Sequence, residues 1–324
     1  MARTERAAEG KEPYYGLPML KPPVWRWEIA TYLFLGGLSG GSFALARLAR
    51  RSGGEPARRV ATVGTFVSLA ALAPSPLLLI KDLGVPRRFA YMLRVWKPGS
   101  PMNLGSWLLT GFGAIVSLAS LLELLGGERG ARSGRALRRL GLAVAELCGV
   151  PLGLMLAGYT PVLLSTTATP LWSRSLWLGP LFSASAIHTA ADGIELVSRL
   201  GARTRRASRT LHALRRISRI ASAAEAVSLF GYLIEAGPLA RPIVRGRLGR
   251  WLWGGAVALG LIAPEILQRV PVRSARAERW LRVTSSALGL LGGYALRWAI
   301  LHGGHPSSQD PESARRVSRR RDPP

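Results

Sequence analysis

The chain has 324 residues, 48% of them hydrophobic, with 44 Lys and Arg against 18 Asp and Glu and a formal net charge of +26. A nucleic-acid binder would account for the charge. It would not account for the apolar stretches of about twenty residues between the basic bursts, each long enough to cross ~30 Å of hydrocarbon. One cysteine, Cys148, excludes an internal disulfide and an iron–sulfur cluster held by this chain's own thiolates.

Residues 1–24 read as an extracytoplasmic N-terminal segment, charged and Pro-rich, with no apolar core of a cleavable signal peptide. A helical membrane domain over 25–302 follows, and 303–324 read as a flexible basic tail. The fold class expected is an all-α membrane protein, an eight-transmembrane-helix bundle. Its spans are Trp27–Ala49, Val60–Ile80, Leu104–Leu125, Leu140–Leu164, Leu176–Leu200, Leu211–Ala236, Trp251–Leu267 and Trp280–Leu301. Arg215, Arg216 and Arg219 occupy the first turns of the sixth. Gly and Ala recur inside the spans, where small residues let helix backbones approach closely. Trp25, Trp27, Trp107, Trp172, Trp251, Trp253, Trp280 and Trp298 lie near span ends, as an interfacial aromatic belt does.

Eight spans put both termini on one side. The first, third, fifth and seventh connections are all Arg-rich (Arg47/Arg50/Arg51/Arg58/Arg59, Arg129/Arg132/Arg135/Arg138/Arg139, Arg199/Arg203/Arg205/Arg206/Arg209 and Arg269/Arg273/Arg276/Arg279), whereas the fourth carries only Arg174. The second and sixth connections are basic too, but the excess lies with the odd-numbered set, and the positive-inside rule then places the termini outside the cytoplasm.

Ionisable residues inside spans are costly and therefore functional candidates. The fifth span holds the densest set: His188, Asp192 and Glu195 are related by i, i+4 and i+7, one helical face, which suits either a proton path or pairing with arginines of neighbouring spans. Glu146 and Glu225 sit deep by position and join the candidate path; Glu123, Glu235 and Glu265 read as structurally neutralised. The four histidines (His188, His212, His302, His305) show no pairing suited to haem between helices, so neither haem nor metal is expected on this chain. Two further stretches stand out. "DLGVPRRFAYMLRVWKPGSPMNLGSW" (Asp82–Trp107) joins spans two and three, and "LAGYTPVLLSTTATPLW" (Leu156–Trp172) closes span four with Tyr159, either an interfacial anchor or a phenol able to hydrogen-bond a quinone.

Four blocks together resemble the NrfD/PsrC family, the membrane subunits of polysulfide-reductase-type molybdopterin oxidoreductases. They are "YYGLPMLKPPVWRWEIATYLFLGGLSGGS", the Asp82–Trp107 stretch, "GYTPVLLSTTATPLW" and "RWAILHGGHPSSQDP". Three positions depart from the family's pattern: Ile29 and Tyr32, where members can carry Asn and His, and Pro161, where Gly or Ala is usual.

The resemblance implies an eight-helix bundle that binds a quinone (menaquinone or ubiquinone) near the extracytoplasmic face. It also implies docking to a ferredoxin-like iron–sulfur subunit joined to a molybdopterin catalytic subunit, where the substrate chemistry and the redox metals reside. Carried onto this chain, the quinone-binding candidates are Tyr159, Asp82, Asn103, Ser100, Glu28 and Trp107, and Met102 belongs to the same block. Ser100 is an expected N-cap of span three, and Phe89, Tyr91 and Trp96 an expected amphipathic lid. Arg87, Arg88, Arg94 and Lys97 are candidates for docking the acidic partner. The rival readings are a secondary transporter, suggested by intramembrane acids and Gly/Pro-broken helices, and a structural anchor whose quinone site has decayed.

Overall fold

A computed structural model describes residues 20–125, 132–173, 175–201, 209–272 and 274–311. The expected N-terminal segment before residue 20, the tail beyond residue 311, and Arg129, Arg174, Arg203, Arg205, Arg206 and Arg273 lie outside the described residues.

Among these residues every regular element is helical. The long helices are α1 (Trp27–Arg51), α2 (Gly54–Leu72), α5 (Pro101–Leu124), α6 (Arg132–Ser165), α7 (Leu178–Leu200), α8 (Arg209–Ala236) and α12 (Ala275–Gln309); α3 (Ser75–Leu83) and α4 (Pro86–Arg94) are short. Between α8 and α12 come two turns of helix, α9 (Arg241–Val244) and α10 (Gly246–Gly249), a π-helical stretch (Arg250–Ile262) and α11 (Ala263–Arg269).

Local chemistry sets the breaks. Pro74 and Pro76 divide α2 from α3, because a proline lacks the N–H that would continue the ladder. Gly84, at φ 70°, ends α3 in the left-handed conformation that glycine adopts without a steric penalty. Pro86 then starts α4, and Ser100, followed by Pro101 at the first helical position, starts α5. The expected N-cap is present: Ser100 Oγ accepts from Asn103 N at 3.5 Å.

Six helical stretches are long and apolar enough to cross a membrane by length and composition: Trp27–Arg51, Gly54–Leu83, Pro101–Leu124, Ala136–Ser165, Arg209–Val244 and Gly246–Arg269. The chain is therefore a multi-pass membrane protein. The two expected spans outside that set are α7 and α12, which have the length but carry buried His188, Asp192, Glu195, Arg199 and Arg297. Their polar side chains turn into the bundle, so low hydropathy here reports polar groups packed inside rather than exposed to water.

α1 is the central helix and packs on α2, α3, α6, α7 and α12. Glycine permits the closest approaches: a Cβ on Gly40 would strike the Gly153 carbonyl of α6, and one on Gly260 would strike Gly292 of α12. The last helix outruns the expected boundary at residue 302. Gly303 and Gly304 pack on Ile243 and Trp172, and Ser307 accepts from Leu171 N at 3.1 Å. Residues 303–309 thus belong to the bundle. The aromatic belt also needs correcting, because Trp172 is fully buried, stacks on Trp25 at 5.7 Å between centroids and donates Nε1 to Ile300 O at 2.8 Å.

Candidate functional site

One end of the bundle gathers the start of α1, the end of α3, α4, the start of α5 and the end of α6. A cavity opens among them, enclosing about 480 Å³ of empty space, part of it open to solvent. Its walls are largely apolar (Trp25, Ile29, Leu79, Phe89, Met92, Leu163), and its polar groups are Tyr32, Asp82, Ser106 and Tyr159. Apolar walls with a few convergent polar atoms are the ordinary chemistry of a small-molecule site.

Tyr159, from α6, is 7% exposed and donates its hydroxyl to the Pro101 carbonyl at the start of α5. The contact exists because Gly105 has no side chain; a Cβ there would overlap the phenol. A hydroxyl has one proton and two lone pairs, so Tyr159 with its proton engaged can still accept a hydrogen bond from a ligand. Tyr32, from α1, is 2% exposed, lines the same cavity and shows no hydrogen bond among the described residues. Its proton is available to a ligand oxygen. In the sequence Tyr32 and Ile29 stand out only as departures from a family pattern, yet both are walls of the cavity. The available signal is their i, i+3 spacing at the start of an apolar helix.

The other expected ligand contacts divide. Asp82, at the end of α3, lines the cavity. Asn103 instead holds the lid: its Nδ2 donates to Met92 O (2.5 Å) and Val95 O (2.8 Å), and its Oδ1 accepts from Lys97 N (2.8 Å). With all these atoms engaged by backbone, the side chain fixes the end of α4 rather than facing the cavity. Ser100 caps α5. Glu28 lies beside the cavity, one oxygen 3.3 Å from Lys81 Nζ and the other buried without a partner. Trp107 packs edge-on against Trp96, 5.8 Å between centroids, outside the cavity.

α4 is amphipathic. Phe89 and Met92 enter the cavity wall, while Arg87, Arg88 and Arg94, with Lys97 beyond, are exposed. Of the expected lid residues only Phe89 points inward; Tyr91 and Trp96 are about 60% exposed.

A second polar set lies deeper, between α7, α8 and α12. His188 Nδ1 is 2.8 Å from Glu225 Oε2, and His188 Nε2 is 3.4 Å from Asp192 Oδ2. Asp192 Oδ1 accepts from Ser218 at 2.9 Å. Glu195 Oε1, nearer the other end, accepts from Arg199 Nε (3.2 Å) and Arg215 Nε (2.9 Å). Arg297, 1% exposed, donates to Ser185 Oγ (2.8 Å) and Gly293 O (2.9 Å) on the cavity side of the set. Gly289 leaves the space that the Asp192 carboxylate occupies. Of the five expected path residues, Glu195 pairs with two arginines, and His188, Asp192 and Glu225 are brought together. Glu146 is not: it pairs with Arg51 on the far rim and is 22% exposed, because its position on α6 faces the end of α1 rather than α7.

The face opposite the cavity is arginine-rich. There Glu123 accepts from Arg47, Arg50 and Thr62, as expected for a structurally neutralised acid. Glu235 likewise accepts from Ser175 Oγ (2.5 Å) and Leu176 N (3.1 Å), tying the α6–α7 connection to α8.

Residues 17–306 match the family described as "Polysulphide reductase, NrfD". The protein is similar to the C chain of polysulfide reductase from Wolinella succinogenes, 27% identical over 303 residues that cover 87% of this sequence and 94% of that protein. It is also similar to "Protein NrfD" of Escherichia coli (strain K12), 26% identical over 305 residues, 87% of this sequence and 95% of that protein.

Proposed function

The chain belongs to the NrfD polysulphide reductase family, and on that premise we propose that it is the quinone-interacting membrane subunit of a multisubunit oxidoreductase. The Wolinella succinogenes relative is by name one chain of a polysulfide reductase, which supports the subunit role. In this reading α7 and α12 cross the membrane with the other six stretches. The arginine-rich face lies in the cytoplasm, and the cavity opens near the extracytoplasmic surface of a bacterial inner membrane.

The observation that carries the proposal is the cavity at that surface, with apolar walls, two phenols and a carboxylate. A quinone, menaquinone or ubiquinone, takes up or gives off two electrons and two protons. Its site must exclude bulk water around the ring and still offer donors and acceptors to its oxygens. Tyr32 donates to one ring oxygen, Tyr159 accepts from the hydroxyl of the reduced ring, and Asp82, half-buried at the mouth, exchanges protons with water. Asn103 holds α4 closed over this arrangement. The exposed Arg87, Arg88, Arg94 and Lys97 on the outer side of α4 offer a positive surface to an acidic iron–sulfur subunit, itself coupled to a molybdopterin catalytic subunit.

The polar set at His188, Glu225, Asp192 and Glu195 forms a proton path from the arginine face to the bundle centre. His188, Asp192 and Glu225 are buried and close enough to exchange protons through one imidazole, and Glu195, held by Arg199 and Arg215, lies toward the arginine face.

The test is paired turnover of the purified complex, once with a short-chain quinone and once with a soluble artificial acceptor that bypasses the membrane. Substitution of Tyr32 or Tyr159 by Phe should lower the first rate and leave the second unchanged. A quinone rate left unchanged by both substitutions, or both rates falling in the same proportion, would reject the cavity as the quinone site.

A further inference from the structure

Buried guanidinium N–H groups without a hydrogen-bond partner occur at several arginines, and their surroundings differ. Arg47 and Arg297 have guanidiniums over aromatic rings, 4.9 Å from Phe43 and 5.4 Å from Phe182, which take up part of the charge. Arg50 Nε belongs to a side chain already seated on Glu123. Arg199 Nη2 and Arg215 Nη2 belong to two guanidiniums that share one oxygen of Glu195, and Arg282 Nε, on a third, is buried without a partner beside them.

These three meet where α7, α8 and α12 converge on the arginine face. Arg199 and Arg215 donate their Nε groups to the same oxygen, Glu195 Oε1, so their guanidiniums are neighbours, in side chains only 8% exposed. Arg282, half-buried on α12, interacts electrostatically with Arg215, Glu195, Glu278 and Arg219. Arg279, one turn earlier, donates Nη2 to Leu200 O at 3.1 Å. Arg199, Arg215, Arg219 and Arg282 thus gather around two carboxylates, Glu195 and Glu278. Buried N–H groups and excess positive charge both call for an anion with several acceptor oxygens.

We propose that this crevice binds a phosphate group. Phosphate offers the required acceptors in a compact trigonal set, and neighbouring guanidiniums engage it with paired N–H donors. On the topology proposed above, the arginine face meets the cytoplasmic leaflet, so the phosphate can come from an anionic phospholipid. Inorganic phosphate can reach the same place from water through the half-exposed Arg282.

The test is native mass spectrometry of the purified full-length protein in detergent, with phosphatidylglycerol, phosphatidylcholine or inorganic phosphate added separately. The expected result is one retained phosphatidylglycerol per protein molecule, with phosphatidylcholine released; retention of inorganic phosphate alone would assign the site to the soluble ion instead. Arg215→Gln and Arg282→Gln should each weaken binding about five-fold, the factor equivalent to ~1 kcal/mol per basic residue at an anionic surface. Arg59→Gln, an exposed arginine paired with Glu55 on the same face, should leave binding unchanged. Should Arg215→Gln fail to fold, Arg282→Gln, at a half-exposed position, decides the matter. Loss of binding in all three variants alike would reduce the effect to diffuse surface charge, and retention of neither ligand would overturn the proposal.

Discussion

His188 and Glu225 meet at 2.8 Å across the contact between α7 and α8, both side chains 4% exposed, with Asp192 3.4 Å from the other imidazole nitrogen. A ring with both nitrogens protonated donates to one carboxylate and toward the other; a neutral ring can donate to only one. The cluster thus has the geometry that the proposed proton path requires.

Asp192→Asn tests the use of that proton. The amide keeps the size of the carboxylate and can still pair with Ser218, so assembly should survive. Turnover of the whole complex should fall at least about tenfold, within the range that positioned acid–base groups contribute. Size-exclusion chromatography and steady-state quinone reduction measure the two quantities; unchanged turnover would leave the cluster a structural ion network.

Tyr32 and Tyr159 should separate by stability. Tyr159→Phe removes the bond to the Pro101 carbonyl and should lower unfolding free energy by about 0.5–1.5 kcal/mol, while Tyr32→Phe, with no bond to lose, should leave it unchanged. Both should lower quinone-linked turnover roughly tenfold, as each ~1.4 kcal/mol lost from the transition state does. A stability loss confined to Tyr32→Phe would mean that the two hydroxyls had been assigned the wrong way round.

Gly105→Ala should be harmful although alanine is the better helix former. The added methyl meets the Tyr159 phenol, and overpacking of this kind typically costs about 1–3 kcal/mol. Thermal unfolding of the detergent-solubilised protein should show the loss. The double variant Gly105→Ala/Tyr159→Leu should recover part of the stability but none of the quinone activity.

Asn103→Ala should loosen the lid. The side chain makes three hydrogen bonds to backbone between Met92 and Lys97, and their loss frees the end of α4. Limited trypsin digestion should cut faster after Arg87, Arg88 and Arg94, all exposed, and the KM for quinone should rise with little change in the rate with a soluble acceptor. Unchanged digestion would show that Phe89 and Met92 hold α4 without the clamp.

The sequence by itself determined the helical membrane class, the Ser100 cap, and the shared face of His188, Asp192 and Glu195, whereas the expected span Val60–Ile80 ran through the break that the structure shows at Pro74. The three features determined are local. Helical period and side-chain capping act within a few residues, so they are readable along the chain. What the acids face was decided by packing. Glu146 and Glu225 look alike in sequence, each one acid within an apolar helix, yet one meets Arg51 on a rim and the other meets His188 in the interior. Asn103 looks like a ligand contact until α4 folds back and engages both ends of its amide. Tyr32 joins Tyr159 only because the start of α1 lies against the end of α6. Periodicity fixes the face a side chain occupies on its own helix; only the neighbouring helix, placed by close contacts such as Gly40 on Gly153, supplies what that face meets.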